Sequence, residues 1–424
     1  MKHLLRTTIA AVVLLGTASQ YGYGIENKVS LEIEQITSGP KHHLFGYIGQ
    51  SLTIPWNESE RYIVSLRTDF YKRMPVKGET AEIVILDTQD NYKVTVLDKT
   101  LAWNLQQGTM FYWNPKRPET AFFFNDMDPD TGVVFTVLYD IKKRKRIKEY
   151  RFGNESIANG GVAPNGKWYA GINYGKVSRL REIISYQGAS DFTQGGIVNG
   201  DNDGLFKVNT KTRKKELLVS YKTLAEFLKV KNSDSYPIYV HHTLWNRDSD
   251  RLFFVVRGDG RGDVKGKYPS APCVINVDGS NLRHCENGGH PEWYEGKLMT
   301  VAQDKKKHYK LYDVDSEKIV GRIGDDGVFP QPGGDNAYSP DGKWYVGSHR
   351  IDLTQFYTFY RFEDNAHFVS EGIPIFRGKT KKGLLTTRID GAPRWNRNSD
   401  RILVGGVAED GTRQMSIIKI ISPR

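Results

Sequence analysis

Cysteine is nearly absent: the 424 residues contain only Cys273 and Cys285. So low a count excludes a disulfide-stapled framework, and with no CxxC spacing it also speaks against a zinc cluster. Long apolar runs are missing too. Ala10 to Leu15 (AAVVLL) is too short to span a bilayer, and it follows Lys2 and Arg6 in the manner of an export signal. Residues 1–24 are therefore expected to be a signal peptide, cleaved after the small residues at Gly16 and Ala18 or at Gly22 and Gly24. No Cys follows the apolar core, so a lipid anchor is not expected. A periplasmic or secreted chain of this kind has no membrane span and no nucleic acid among its expected partners. In an oxidising compartment the two cysteines become candidates for pairing. They flank the turn Asp278-Gly279-Ser280-Asn281, and a hairpin centred on Gly279 makes them direct partners, so a disulfide is expected.

Acidic residues are the minority, 49 against 60 Lys and Arg, giving a formal charge of +11. The basic excess is spread along the chain, and its densest run, Lys142 to Arg146 (KKRKR), reads as a charged hairpin turn. In an exported protein such a field favours anionic polysaccharide.

What the chain does contain is one strand pattern, repeated. An apolar or aromatic strand leads through a polar turn into a strand of β-branched and aromatic residues, and a second hairpin follows, often with a charged turn. The equivalent positions are Trp56, Trp113, Ala163, Trp245, Trp293, Tyr338 and Trp395, and most intervals lie near the blade length of about 40–50 residues. Residues 25–424 thus read as a single all-β domain, a seven-bladed β-propeller. The last unit offers only three strands, whereas Ser30 to Ile36 (SLEIEQI) has no other partner. That N-terminal strand is expected to close the ring and cover its edge. The one long interval holds Gly171 to Gly204, rich in Gly, Asn and Asp, and insertions of this length are often functional loops.

Strand order places the first turn of each blade on one face, and the entering loops and second-to-third strand loops on the other. This second face collects His42, His43, Tyr47, Gln107, Asn173, Arg179, Arg181, His241, His242, His290, Asn336, His349 and Arg350. Six of the ten histidines are among them. Taken singly, each also fits a structural role, an imidazole bonded to a loop carbonyl. Together, imidazole, guanidinium and carboxamide with few carboxylates suit an anionic sugar.

Several stretches resemble bacterial propellers related to oligogalacturonate lyases and ulvan lyases. They are KHHLFGY (Lys41 to Tyr47), WNLQQGTMFYWNP (Trp103 to Pro115), FFFND (Phe122 to Asp126), APNGKWYAGIN with SRLR (Ala163 to Arg181), HHTLWN (His241 to Asn246) and GGDNAYSPDGKWYVGSH (Gly333 to His349). The resemblance implies a carbon–oxygen lyase that cleaves uronic-acid poly- or oligosaccharide by β-elimination on a seven- or eight-bladed propeller.

That reaction needs a base for the C5 proton, a cation at the carboxylate and an acid for the oxygen leaving C4. The candidates are His242 or His43 as base, Arg179 with Gln107 and Asn173 at the carboxylate, and Tyr47, Tyr186 or His349 as acid. His42, Arg181, His290, Asn336 and Arg350 are expected to bind substrate. Expulsion of water instead of a sugar would make the enzyme an oligosaccharide dehydratase. A non-catalytic glycan-binding or cell-envelope scaffold is the alternative from another class. Hydrolysis is disfavoured, since this rim lacks an evident close pair of carboxylates, although the ring could bring Asp335 and Asp390 together. The sequence requires no cofactor, a divalent metal being compatible with it, and a monomer is expected.

Overall fold

The computed structural model describes residues 29–46, 52–258, 270–285, 290–375, 387 and 389–421. The expected signal peptide and Tyr47 lie outside them. The strands form seven separate antiparallel sheets, the blades of a β-propeller. The first blade runs outward from His42–Leu44 through Tyr62–Thr68 and Ala81–Asp87 to Lys93–Thr100. In the last blade the order from the centre is Arg394–Trp395, Arg401–Val407, Arg413–Ile421 and finally Ser30–Gln35. The N-terminal strand does close the ring, pairing from Ser30 with Ile421 to Gln35 with Ser416.

The repeated tryptophan explains the repeat. Four of these indoles sit on an innermost strand and donate the Nε1 hydrogen to a backbone carbonyl of the blade before. Trp113 reaches Pro55 at 2.7 Å, Trp245 reaches Gly161 at 2.9 Å, Trp293 reaches Leu244 at 2.8 Å and Trp395 reaches Ala337 at 3.2 Å. A buried indole needs a partner, so one residue both fills the gap between blades and ties them together. The turn that follows is held by the next side chain: Asn57 accepts from the Tyr62 amide, Asn246 from Arg251 and Asn396 from Arg401.

The cysteine hairpin differs from its expectation by one residue. Cys273 pairs with His284, not Cys285, and the Cys285 amide donates to the Pro272 carbonyl. A shift of one residue sends a side chain to the opposite face of the sheet. Cys273 therefore packs with Leu252 and Phe254, whereas Cys285 packs with Trp293 and Met299 in a different core cluster. Both are free, and burial pushes each thiol up to about 12. Titration of denatured protein should count both thiols equally with and without reductant; an increase on reduction would restore the disulfide.

The long insertion is ordered. Asn173 caps a helix over Tyr174–Leu180 by accepting from the Lys176 amide, and a 3-10 turn covers Glu182–Ile184. No helix among the described residues is long and apolar enough to cross a membrane.

Candidate active site

On the face opposite the first turns, the fourth blade's innermost strand Ile238–Trp245 carries two consecutive histidines. Neighbours on a regular strand point to opposite faces, but here a bulge lies between His241 and Leu244, with His242 at φ 56°. The bulge turns the two imidazoles toward each other, ring centres 4.7 Å apart. A non-glycine residue in the left-handed region is a strained one, and such strain gathers at functional sites.

Hydrogen bonds tie the pair to a neighbouring blade. Oε1 of Gln107, from the second blade's entering loop, faces Nε2 of His241 at 3.0 Å, and the two Nδ1 atoms of the pair lie 2.8 Å apart. The two contacts link Gln107, His241 and His242 in one chain. Burial, with Arg257 nearby, drives His241 down to about 3 and keeps it neutral. His242 is likewise held well below the usual imidazole range by burial, then by His241, Arg257, His290 and Arg181.

Cations dominate the surroundings of the pair. Arg257 is next to last in the strand Arg251–Gly258, Arg181 follows the insertion helix, and both act on the buried phenol of Tyr239. From the next blade His290 meets Asp335 at 3.3 Å, and Asn336 donates to the His290 carbonyl at 2.7 Å. Asp335 accepts in turn from the Ala392 amide at 3.1 Å. Beside this cluster opens a small recess of about 30 Å³, lined by Gln106, Asp390, Ala392, Arg394 and Arg413 among others.

Other expected residues do different work. His43 is buried, donates from Nδ1 to Gln414 at 2.9 Å and so joins the first blade to the last. Nδ1 of His42 accepts from the Arg413 amide at 3.1 Å, a second tie across the same seam. Tyr186 lies in the core, stacked on Tyr174 at 4.7 Å with its hydroxyl bonded to Asn125, closed to any ligand. Asn173 donates to Asp191 and Asp203, and Arg179 pairs with Asp191 at 2.9 Å; both hold the insertion together. His349 is buried against Phe356, while Arg350 donates to the Ile389 carbonyl at 3.0 Å.

Burial pushes His43 down to about 4, against an ordinary value near 6.5. A depressed imidazole leaves the fold at full strength above about pH 6.5, and stability then falls as pH drops toward 4, because the unfolded chain binds the proton first. The His43 share is on the order of 3 kcal/mol by pH 4. Denaturant titrations of the wild type and His43→Gln should show a shallower acid loss in the variant; identical slopes would remove His43 from the account.

Arg413, Arg394 and Tyr239 were not among the expected residues. Arg394 occupies the position just before the repeated tryptophan, as do Tyr112 and Glu292, and Tyr112 senses the charges of both. Aligning that position across the repeats would have exposed it. Arg413 begins the third strand of the last blade, just past its second-to-third strand loop.

No protein-family model matches the chain, and no curated protein does. Among solved structures, it is similar to an oligogalacturonate lyase from Vibrio parahaemolyticus, with TM-score 0.57 and 12% identity over 93% of this chain and 98% of that one. An oligogalacturonate lyase in complex with manganese gives TM-score 0.53 and 12% identity, covering 93% and 96%. TolB from Acinetobacter baumannii also matches, at TM-score 0.40 and 12% identity over 85% and 80%. At such identity the likeness concerns the fold, that of a seven-bladed propeller built like the two lyases. Among the described residues no three His, Cys, Asp or Glu side chains gather in a way that could hold a metal ion.

Proposed function

We propose that the chain is a carbon–oxygen lyase that acts by β-elimination on a uronic-acid poly- or oligosaccharide, pectin-like rather than ulvan-like. The observation that carries this reading is the Gln107–His241–His242 chain, two buried imidazoles held neutral beside Arg257 and Arg181. The propeller likeness to two oligogalacturonate lyases supports the choice of substrate class.

In the step envisaged, His242 Nε2 takes the C5 proton. The electron pair of that C–H bond spreads into the carboxylate, whose growing charge Arg257 and Arg181 stabilise. It then forms the C4–C5 double bond as the C4–O bond breaks, and His290, oriented by Asp335, protonates the departing oxygen. No electron acceptor is needed. The export reading of residues 1–24 completes the proposal by placing the enzyme where such glycans occur.

Incubation with polygalacturonate, its oligomers and ulvan, followed by mass analysis, tests the proposal. Expected are unsaturated fragments from the pectin-type substrates. An intact oligomer lighter by one water would identify a dehydratase, and binding without any new product would leave only a glycan-binding propeller.

A further inference from the structure

Cations that the sequence spreads along the chain are gathered by ring closure onto one sector of the face opposite the histidine pair. The two hairpin turns of a blade both lie on that face. In the second and third blades these turns are residues 114–120, 140–145, 163–167 and 209–214, and they expose Lys116, Lys142, Lys143, Lys167, Lys211 and Lys214. Contacts make the four turns one surface. A Cβ on Gly166 would come within 3.1 Å of Lys116, and Thr210 donates to the Gly166 carbonyl at 2.7 Å. Lys148 then bridges the two blades by donating to the Thr210 and Lys211 carbonyls at 3.1 and 3.0 Å.

Little negative charge is left to balance this sector. Its turns contain two carboxylates, and both are taken: Glu119 accepts from Asn57 and the Ser59 amide of the first blade, while the buried Asp140 pairs with Arg117. On the outer strands Glu149 pairs with Arg151, and Glu155 with Lys215. Among the described residues none of the six exposed lysines has an ion pair. The outer turns of the first, fourth, fifth and sixth blades carry acids instead, Asp90, Asp278, Asp315, Glu317, Glu363 and Asp364. Crowded like charges repel one another and cost stability, so a surface that retains them has a polyanion to set against them.

We propose that this sector binds a polyuronide chain away from the catalytic site and keeps the enzyme on the polymer it cleaves. The inference rests on the uronide reading above. A lipid surface would call for apolar side chains beside the cations, and none of the exposed large hydrophobic residues falls in the four turns. A single-stranded nucleic acid would call for rings on which bases stack, and the turns contain no aromatic residue. A polyuronide asks only for charge: lysines on flexible stems neutralise a carboxylate on sugar after sugar without a fixed geometry. Holding the chain raises the concentration of cleavable bonds near the pocket, which lowers KM for the polymer and leaves short oligomers unaffected.

The test compares the full chain with Lys142→Gln/Lys143→Gln/Lys211→Gln/Lys214→Gln, both carrying His242→Asn so that the polymer is not consumed. Binding to immobilised polygalacturonate, its methyl ester and DNA, and to phosphatidylglycerol vesicles, is measured at about 50 and about 200 mM salt, with melting curves as a control on folding. Polygalacturonate should bind the parent, weaken with salt and lose about tenfold or more in affinity in the quadruple variant, while the uncharged ester binds weakly throughout. Should the quadruple variant fail to fold, Lys142→Gln/Lys143→Gln replaces it, with a loss of several-fold expected. Unchanged affinity in a folded variant, or equal binding of the ester, overturns the proposal. Tighter binding of DNA or of vesicles, lost with the lysines, gives the surface to that partner and overturns it too. If polygalacturonate is cleaved with an unaltered KM by the four-lysine variant with His242 restored, the surface falls and the lyase reading stands. Lysine-dependent binding of polygalacturonate without cleavage of any polyuronide does the reverse.

Discussion

Replacing His242 with alanine is expected to cut turnover of a uronide by about 10²- to 10⁴-fold, the usual contribution of a positioned general base. The residue sits at φ 56°, where alanine is itself strained, so part of any loss could come from the backbone. His242→Asn separates the two effects, because asparagine tolerates the left-handed region and still lacks the base. Both variants should lose turnover alike, with the asparagine protein melting closer to the wild type. Because burial holds His242 neutral well below the ordinary imidazole range, the acid limb of kcat/KM should lie well below that range too. A folded His242→Asn protein that retains near-native turnover would remove His242 from the chemistry.

Arg257→Ala should lower kcat/KM by about a hundredfold, roughly 3 kcal/mol of transition-state stabilisation, while Arg179→Ala leaves it close to native. The contrast follows from placement. Arg257 acts directly on both histidines of the pair, whereas Arg179 is spent on Asp191 and the shape of the insertion. Steady-state kinetics on the same oligomer decide between them. A larger loss from Arg179→Ala would move the carboxylate site to the insertion.

The propeller was legible because its signal is repeated: a tryptophan that bonds the preceding blade and a turn capped by Asn recur at blade spacing, and no local ambiguity survives so many copies. The closing strand was legible from a missing partner, since a three-stranded blade and an unpaired strand define one pairing. Register within a single hairpin was not. The partner of Cys273 lies one position from where symmetry about Gly279 puts it, and that separates the two cysteines onto opposite faces.

For the site, strand order sufficed to bring His242, Gln107 and His290 to one rim, since loops at the same end of a ring must converge. It could not tell which rim residues face the cavity. His42 and His43 are on the right face but are consumed by the seam with the last blade. Tyr186 and Arg179 belong to an insertion that folds as a capped helix with its own ion pair, and composition gave no sign of that. Arg413 escaped notice for the opposite reason: nothing local marks a strand residue as a buried charge until the ring has closed around it.

The most direct measurement is the near-ultraviolet absorbance of the conjugated 4,5-unsaturated uronate, followed as wild type and His242→Asn act on oligogalacturonate and on its carboxyl-reduced form. The expected result is a steady rise for the wild type on the acidic oligomer alone, abolished in a variant that melts normally. No rise with any uronide, or an equal rise in the folded variant, would contradict elimination at this histidine pair.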